Sequence, residues 1–145
     1  MRSRAALCGL GLLWLSACGK EAGRVPFAAA DEQSAAFELK AGEVAFWTEL
    51  DLEWEGDGGL VYTIDLSQGG KSVATASCNP LGHLPIKTGW VSTDIGAKHS
   101  RRGSGKMECT TKLAQGGSTT VKTKLQWGPK PATMGFRKAD LVVKQ

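Results

Sequence analysis

Alternation of apolar and polar residues along the chain predicts a protein built from β-strands. The clearest stretch runs from Val44 to Trp54, where every second residue except Thr48 is apolar and the residues between include Glu49, Asp51 and Glu53. A period of two is typical of a strand with one buried and one polar face. Further candidate strands, some with a weaker pattern, span residues 37–40, 60–68, 71–78, 86–95, 106–113, 119–127 and 135–143.

Turn residues separate these segments at short intervals. Glycine clusters lie at residues 56–59, 69–70 and 116–117, and a Gly-Pro-Lys-Pro run occupies 128–131. Many short strands divided by such turns are typical of antiparallel sandwiches and barrels. We therefore predict an all-β domain, an antiparallel β-sandwich of about eight strands, with a closed barrel as the alternative. The strand rhythm resembles that of small jelly-roll and carbohydrate-binding-like sandwiches.

The first eighteen residues have the organisation of an export signal. Arg2 and Arg4 supply a positive start, an apolar run follows from Ala5 to Leu15, and small residues precede Cys18. The apolar run is well short of the roughly 20 residues needed to span a bilayer as a helix. We therefore predict that residues 1–17 are removed as a signal peptide.

The residues Leu15-Ser16-Ala17-Cys18 resemble the lipobox of bacterial lipoproteins. The resemblance implies acylation of the Cys18 thiol with palmitate-like chains and cleavage before that residue. Two or more acyl chains anchor a protein stably to a membrane. Gly19 at the next position favours the outer over the inner membrane of the cell envelope. An ordinary secretory signal with an incidental cysteine is the alternative.

The sequence divides the mature chain into two parts. Residues 18–34 lack a strand pattern, so we expect a lipid-anchored flexible tether there, and the β-sandwich domain is expected at 35–145. Cys78 and Cys109 are the two cysteines of that domain. In an oxidising envelope compartment such a pair is most simply one disulfide.

Charge is distributed unevenly along the mature chain. Residues 18–68 carry three Lys and Arg against eleven Asp and Glu, whereas residues 69–145 carry thirteen against three. Opposite charges on neighbouring strands stabilise a sheet by pairing, which would set the Glu49–Glu53 carboxylates against lysines such as Lys122 and Lys124. A recognition surface for a charged partner is the alternative reading.

Five residues are candidates for ligand binding. The basic segment 98–106 is rich in Gly and Ser and reads as a loop, in which Arg101, Arg102 and Lys106 could hold phosphate or carboxylate groups. Trp47 on the polar strand face and Trp90 in an irregular segment could stack on sugar rings. The competing interpretations are a solvated hairpin end and tryptophans that other side chains cover.

Motifs for catalysis and for metals are absent from the sequence. The carboxylates from Asp51 to Asp57 resemble only the start of a calcium-binding loop, because Tyr62 stands where the bidentate Glu is required. No nucleophile elbow or zinc-binding helix motif occurs. We predict no catalytic residue, no metal and no cofactor, and we expect no nucleic-acid partner.

These observations lead to a functional hypothesis and one alternative. The first is a non-enzymatic, lipid-anchored module of the cell envelope that binds a protein, glycan or peptidoglycan component. The second is a periplasmic inhibitor of a lysozyme-like hydrolase, since Gly103-Ser104-Gly105 is similar to the Ser-Gly loop of lysozyme-inhibitor lipoproteins.

Overall fold

Nine β-strands and no helix make up the part of the chain that the computed structural model describes, residues 19–145. The predicted signal peptide and the predicted lipidation at Cys18 lie outside these residues. The strands are β1 (Glu21–Val25), β2 (Glu32–Leu39), β3 (Gly42–Glu55), β4 (Leu60–Gln68), β5 (Lys71–Cys78), β6 (Ile86–Ile95), β7 (Lys98–Leu113), β8 (Gly117–Trp127) and β9 (Thr133–Lys144).

The strands form two antiparallel sheets that pack face to face. The five-stranded sheet has the order β1-β9-β3-β7-β6 and the four-stranded sheet has the order β2-β8-β4-β5. Without β6, this is the arrangement of an eight-stranded jelly roll, and β6 is an additional edge strand that forms a hairpin with β7. The sandwich predicted from the sequence is therefore confirmed.

The core lies between the sheets and follows the alternation of the sequence. Every second residue of β4 from Leu60 to Leu66 is fully buried, as are Val44 and Phe46 of β3. Polar groups also lie in this core, among them the Tyr62 hydroxyl and the hydroxyls of Thr48 and Thr123. The Tyr62 hydroxyl of β4 donates to the Ala139 carbonyl at 2.8 Å and lies 2.9 Å from Thr48 Oγ1, so it joins the four-stranded sheet to β3 and β9.

The predicted flexible tether is wrong from residue 21 onward. Residues 21–25 are strand β1, which pairs with β9, and β2 begins at Glu32, well before the predicted domain boundary at 35. The backbones of Lys20 and Gln145 are hydrogen-bonded in both directions, at 2.9 and 3.1 Å. The domain therefore starts immediately after Cys18, because β1 supplies the edge strand of the jelly roll.

The predicted basic loop at 98–106 is also wrong, because these residues are the first half of β7. That half pairs with β3 on one side and β6 on the other. Close packing explains the glycines in this segment. A Cβ atom on Gly103 would overlap the Gly89 carbonyl oxygen, and one on Gly105 would lie 2.6 Å from Leu84 Cδ1. Glycine here permits close approach within a sheet rather than a turn.

A disulfide between Cys78 and Cys109 links the two sheets, as the sequence predicts. Cys78 ends β5 of the four-stranded sheet and Cys109 lies in β7 of the five-stranded sheet, with Cα atoms 5.4 Å apart. The bond therefore crosslinks the sandwich at the open edge formed by β5.

Candidate functional site

The outer face of the five-stranded sheet carries two parallel rows of charge. Period-two geometry places the acidic row of β3 (Glu49, Asp51, Glu53 and Glu55) and the basic row of β7 (Lys98, Arg102 and Lys106) side by side on this face. In register, Arg102 lies opposite Asp51 and Lys98 lies opposite Glu55. The two rows could therefore neutralise each other.

Three of the four carboxylates of the acidic row, all but Glu55, instead pair with cations on the other side of the row. Arg24 of β1 binds Glu49 and lies 3.1 Å from Asp140, while Arg137 of β9 donates to Asp51 at 3.0 Å. The hydrogen bond to Asp51 raises the pKa of Arg137. Arg24 also binds Glu21, and this bond is the main cause that raises the pKa of its guanidinium, ahead of those to Glu49 and Asp140.

The prediction that acidic residues of β3 pair across strands is thus confirmed, but the predicted partners are wrong. Lys122 and Lys124 belong to β8 in the four-stranded sheet, and Lys122 pairs with Glu32 at 3.3 Å. The actual lysine partner of Glu49 is Lys138 of β9, at 3.7 Å.

The basic row of β7 forms no salt bridge with the acidic row, although Glu55, which has no salt bridge among the described residues either, lies opposite Lys98. Within residues 19–145, Lys98, Arg102 and Lys106 form no salt bridge. Successive members are four residues apart, which corresponds to about 13 Å along a strand. Ser100 and Ser104 lie between them on the same face and add hydroxyl donors. Such a row presents evenly spaced cations to an external anion.

A groove crosses the outer face at the end of the sheet near Glu55. In register, Thr93, Ser100, Glu53 and Gly135 form one line across four strands at this groove, and an added Cβ on Gly135 would lie 2.9 Å from Glu53 Oε1. The groove has a volume of about 560 Å³. Its walls include the bulkier Ile95, Lys98, Glu55 and Thr133.

Two features of this groove suit a ligand with both polar and apolar parts. Ile95 on the edge strand β6 is 71% exposed, and Val91 on the same face is 56% exposed. Lys98 at the groove is the end member of the basic row. The groove therefore combines an uncovered apolar contact with an unpaired cation.

The Arg101 side chain forms contacts within the protein. Its guanidinium lies 3.0 Å from Asp94 Oδ1 and 5.2 Å from the centre of the Trp54 ring. His99 stacks on the same indole at 5.1 Å and lies 2.6 Å from Asp94. These hydrogen bonds, from His99 first and Arg101 second, lower the pKa of the Asp94 carboxyl. These contacts engage the Arg101 guanidinium within the protein, and its role as a ligand contact stays a prediction.

Trp47 and Trp90 differ in their availability. Trp47 lies on the outer face as predicted, but it is only 9% exposed and the Lys144 ammonium lies 3.9 Å from its ring centre. It cannot serve as a bare platform for a sugar ring. Trp90 is half-buried against the core, with the Lys87 ammonium 5.9 Å from its ring centre, so part of its ring remains accessible.

Of the five predicted ligand residues, the structure places Arg102 and Lys106 together in the basic row. Sequence reasoning missed Lys98, Thr93 and Glu55 as members of one surface. The signal was present in the even spacing of 98, 102 and 106, which period two assigns to one face once the segment is known to be a strand.

The described residues contain no cluster of three or more His, Cys, Asp or Glu side chains arranged to hold a metal. Within residues 19–145 no helix has the length and apolar character needed to cross a membrane. No family model, curated protein or solved structure matches the chain.

Proposed function

We propose that this protein is a non-enzymatic binding module of the bacterial cell envelope, anchored by lipid on Cys18. The export signal and the lipobox-like residues before Cys18 support the anchor. The disulfide between Cys78 and Cys109 supports an oxidising compartment. The outer membrane remains the favoured location, on the basis of Gly19.

The ligand that this surface fits best is an extended polymer carrying carboxylates or phosphates. The observation that carries the proposal is the basic row of β7, whose cations form no salt bridge within the described residues although a row of carboxylates runs beside it. Lysine and arginine at regular intervals match an anionic glycan or peptidoglycan strand, and arginine binds such groups in bidentate fashion. The groove at Lys98 would accommodate a less polar part of the same ligand.

A binding role also agrees with the state of the carboxylates on this face. Acid–base catalysis requires a carboxyl group whose pKa is shifted by burial or by a like charge. Glu49, Asp51 and Glu53 instead form ion pairs with Arg24, Lys138 and Arg137. We therefore propose no reaction at this surface.

The inhibitor hypothesis has less support. Inhibition of a hydrolase needs a segment that projects into the active-site cleft of the enzyme. The residues with the Ser-Gly similarity, 103–105, lie between β3 and β6 within a sheet. They do not form a projecting loop.

The test is binding of the polypeptide from Gly19 to Gln145, which contains all nine strands and the disulfide, to defined polymers. Purified peptidoglycan sacculi, polyuronate and polyphosphate are the anionic probes, and neutral dextran is the control. We expect binding to at least one anionic probe that weakens as salt is raised, because exposed charges are screened over about 8–10 Å at ordinary ionic strength.

Two triple variants with the same change in charge locate the surface. Lys98→Gln, Arg102→Gln and Lys106→Gln together should weaken binding at least about tenfold, equivalent to 1.4 kcal/mol or more. Lys122→Gln, Lys124→Gln and Lys130→Gln together should leave it within about twofold. Equal weakening by both sets, or no binding to any anionic probe by folded protein, would refute the proposed ligand class.

A further inference from the structure

The chain enters the fold at one end of the sandwich, which we call the anchor end. Lys20 pairs with Gln145 there, and the Gln145 side chain exchanges hydrogen bonds with the backbone of Lys40, each at 2.8 Å. Gly42 lies opposite Leu113 at the same end. The entry point is therefore fixed to strand ends from several parts of the sequence.

Four exposed lysines gather at the anchor end. Lys20 and Lys40 lie beside Gln145, and Lys112 lies opposite Glu43 at the start of β3. Lys71 belongs to the β4–β5 turn, which the Gln68 side chain ties to the Gln115 carbonyl at 3.0 Å. All four lysine residues are exposed.

These lysines have little internal neutralisation. Within residues 19–145 none of them forms a salt bridge. Glu38, Glu43 and, farther along β4, Asp65 are the side-chain carboxylates of this half of the described sandwich without a salt bridge, whereas Glu21 is bound by Arg24. The anchor end consequently presents an excess of positive charge.

The chain length between Cys18 and the fold places this end next to the membrane. Glu21 is three positions after Cys18, and an extended chain covers at most about 3.3–3.6 Å per position, or roughly 11 Å in all. A lipid on Cys18 thus leaves the anchor end within reach of the headgroups. Glu55, at the groove, is ten residues along β3 from Ala45, which corresponds to about 33 Å.

We propose that the anchor end docks on anionic phospholipid headgroups, so that the domain stands on the membrane with the groove displayed on the far side. The inference rests on the proposed lipid anchor, and it replaces a freely floating domain with a fixed orientation. Juxtamembrane lysines are attracted to anionic leaflets, and each contributes about a fivefold change in partition. The polymer-binding surface would then face away from the bilayer.

The experiment measures binding of the lipid-free polypeptide from Gly19 to Gln145 to sedimented vesicles. One vesicle set contains phosphatidylcholine alone and the other contains added phosphatidylglycerol. We expect binding only to the anionic set, with loss at high salt. Lys20→Gln with Lys112→Gln should lower the partition coefficient about 25-fold.

The matched control is Lys124→Gln with Lys130→Gln, which removes the same charge from exposed lysines toward the opposite end of the sandwich and outside the basic row. It should leave the vesicle partition within about twofold, and circular dichroism should show that both variants are folded. Equal binding to both vesicle sets, no binding to either, or a larger loss in the control variant would overturn the docking proposal.

A second measurement separates this proposal from the lipid anchor. Full-length protein is expressed in bacteria with a labelled fatty acid, alongside Cys18→Ser. Labelled wild type whose lipid-free domain ignores anionic vesicles would refute the docking and leave the anchor standing. Unlabelled wild type would refute the anchor, and with it the fixed orientation, even if the lysines bind vesicles.

Discussion

Replacing Tyr62 by phenylalanine tests whether a buried hydrogen-bond pair holds the two sheets together. Tyr62 is fully buried, and burial raises the pKa of its phenol, so the hydroxyl stays protonated and donates to the Ala139 carbonyl. Because the Tyr62 hydroxyl proton is already used in that bond, the Thr48 hydroxyl donates to the Tyr62 oxygen. The substitution removes both bonds and leaves a carbonyl and a hydroxyl without partners in an apolar core.

The expected cost follows from the number of bonds and from their burial. Each net hydrogen bond contributes about 1 kcal/mol, and an unsatisfied buried group costs about 1–3 kcal/mol. Since the Thr48 hydroxyl can rotate, we expect Tyr62→Phe to lower the free energy of unfolding by about 2–3 kcal/mol. For a domain of this size that is a fall in melting temperature of roughly 8–12 °C.

Urea unfolding with the disulfide intact measures the loss of stability. A double-mutant cycle measures the part of that loss that comes from the Thr48–Tyr62 hydrogen bond. Thr48→Val combined with Tyr62→Phe should cost about 1 kcal/mol less than the sum of the single variants, because the double variant removes both members of one bond. Thr63→Val, at an exposed site of β4, is the control and should change stability by less than about 0.5 kcal/mol. A Tyr62→Phe protein within 0.5 kcal/mol of wild type, or strictly additive single effects, would contradict this account of the core.

Three further predictions concern the links between strands. Loss of the disulfide in Cys109→Ala should lower stability by about 2–5 kcal/mol, and peptide mapping without reduction should show the link to Cys78 in wild type. Arg24→Gln should cost about 1–2 kcal/mol by urea unfolding, since Asp140 keeps Lys138 at 3.6 Å, and an unchanged midpoint would argue against the β1 contacts. The Arg24 bond lowers the pKa of Glu21, so its small stabilisation is present above the unfolded value and is lost as the pH falls through the lower folded value. Melting curves at a pH of about 6 and about 3 should therefore show a larger fall in melting temperature in wild type than in Arg24→Gln, and equal falls would contradict this assignment.

The sequence alone determined the fold class and most of the strands that border the core. In β3, β4 and β8 one face meets the opposite sheet, and burial of that face demands an apolar residue at every second position. The disulfide could also be predicted from the sequence, because only Cys78 and Cys109 lie in the folded part. The alternation is local in the sequence and the disulfide follows from the number of cysteines, so neither prediction requires knowledge of which strands are neighbours.

Only the tertiary structure decided where the remaining elements belong. Strand β1 carries no apolar alternation, and its identity comes from pairing with β9 and from Gly23, which leaves room for the Phe37 ring. The hairpin of β6 with the first half of β7 is largely exposed, so no core imposes a pattern on it. The composition of residues 98–106 predicts a loop, but their backbone hydrogen bonds to β3 hold them as a strand.

The same distinction explains the candidate site. The sequence showed that the two halves of the chain carry opposite charge, but not which strands are neighbours. Strand β3 lies between β9 and β7, and both of these strands carry basic residues that could pair with the carboxylates of β3. Glu49, Asp51 and Glu53 pair with Arg24, Arg137 and Lys138, whereas the basic row of β7 forms no salt bridge within residues 19–145. Charge pairing depends on side-chain reach across strands, which spacing along the sequence does not contain.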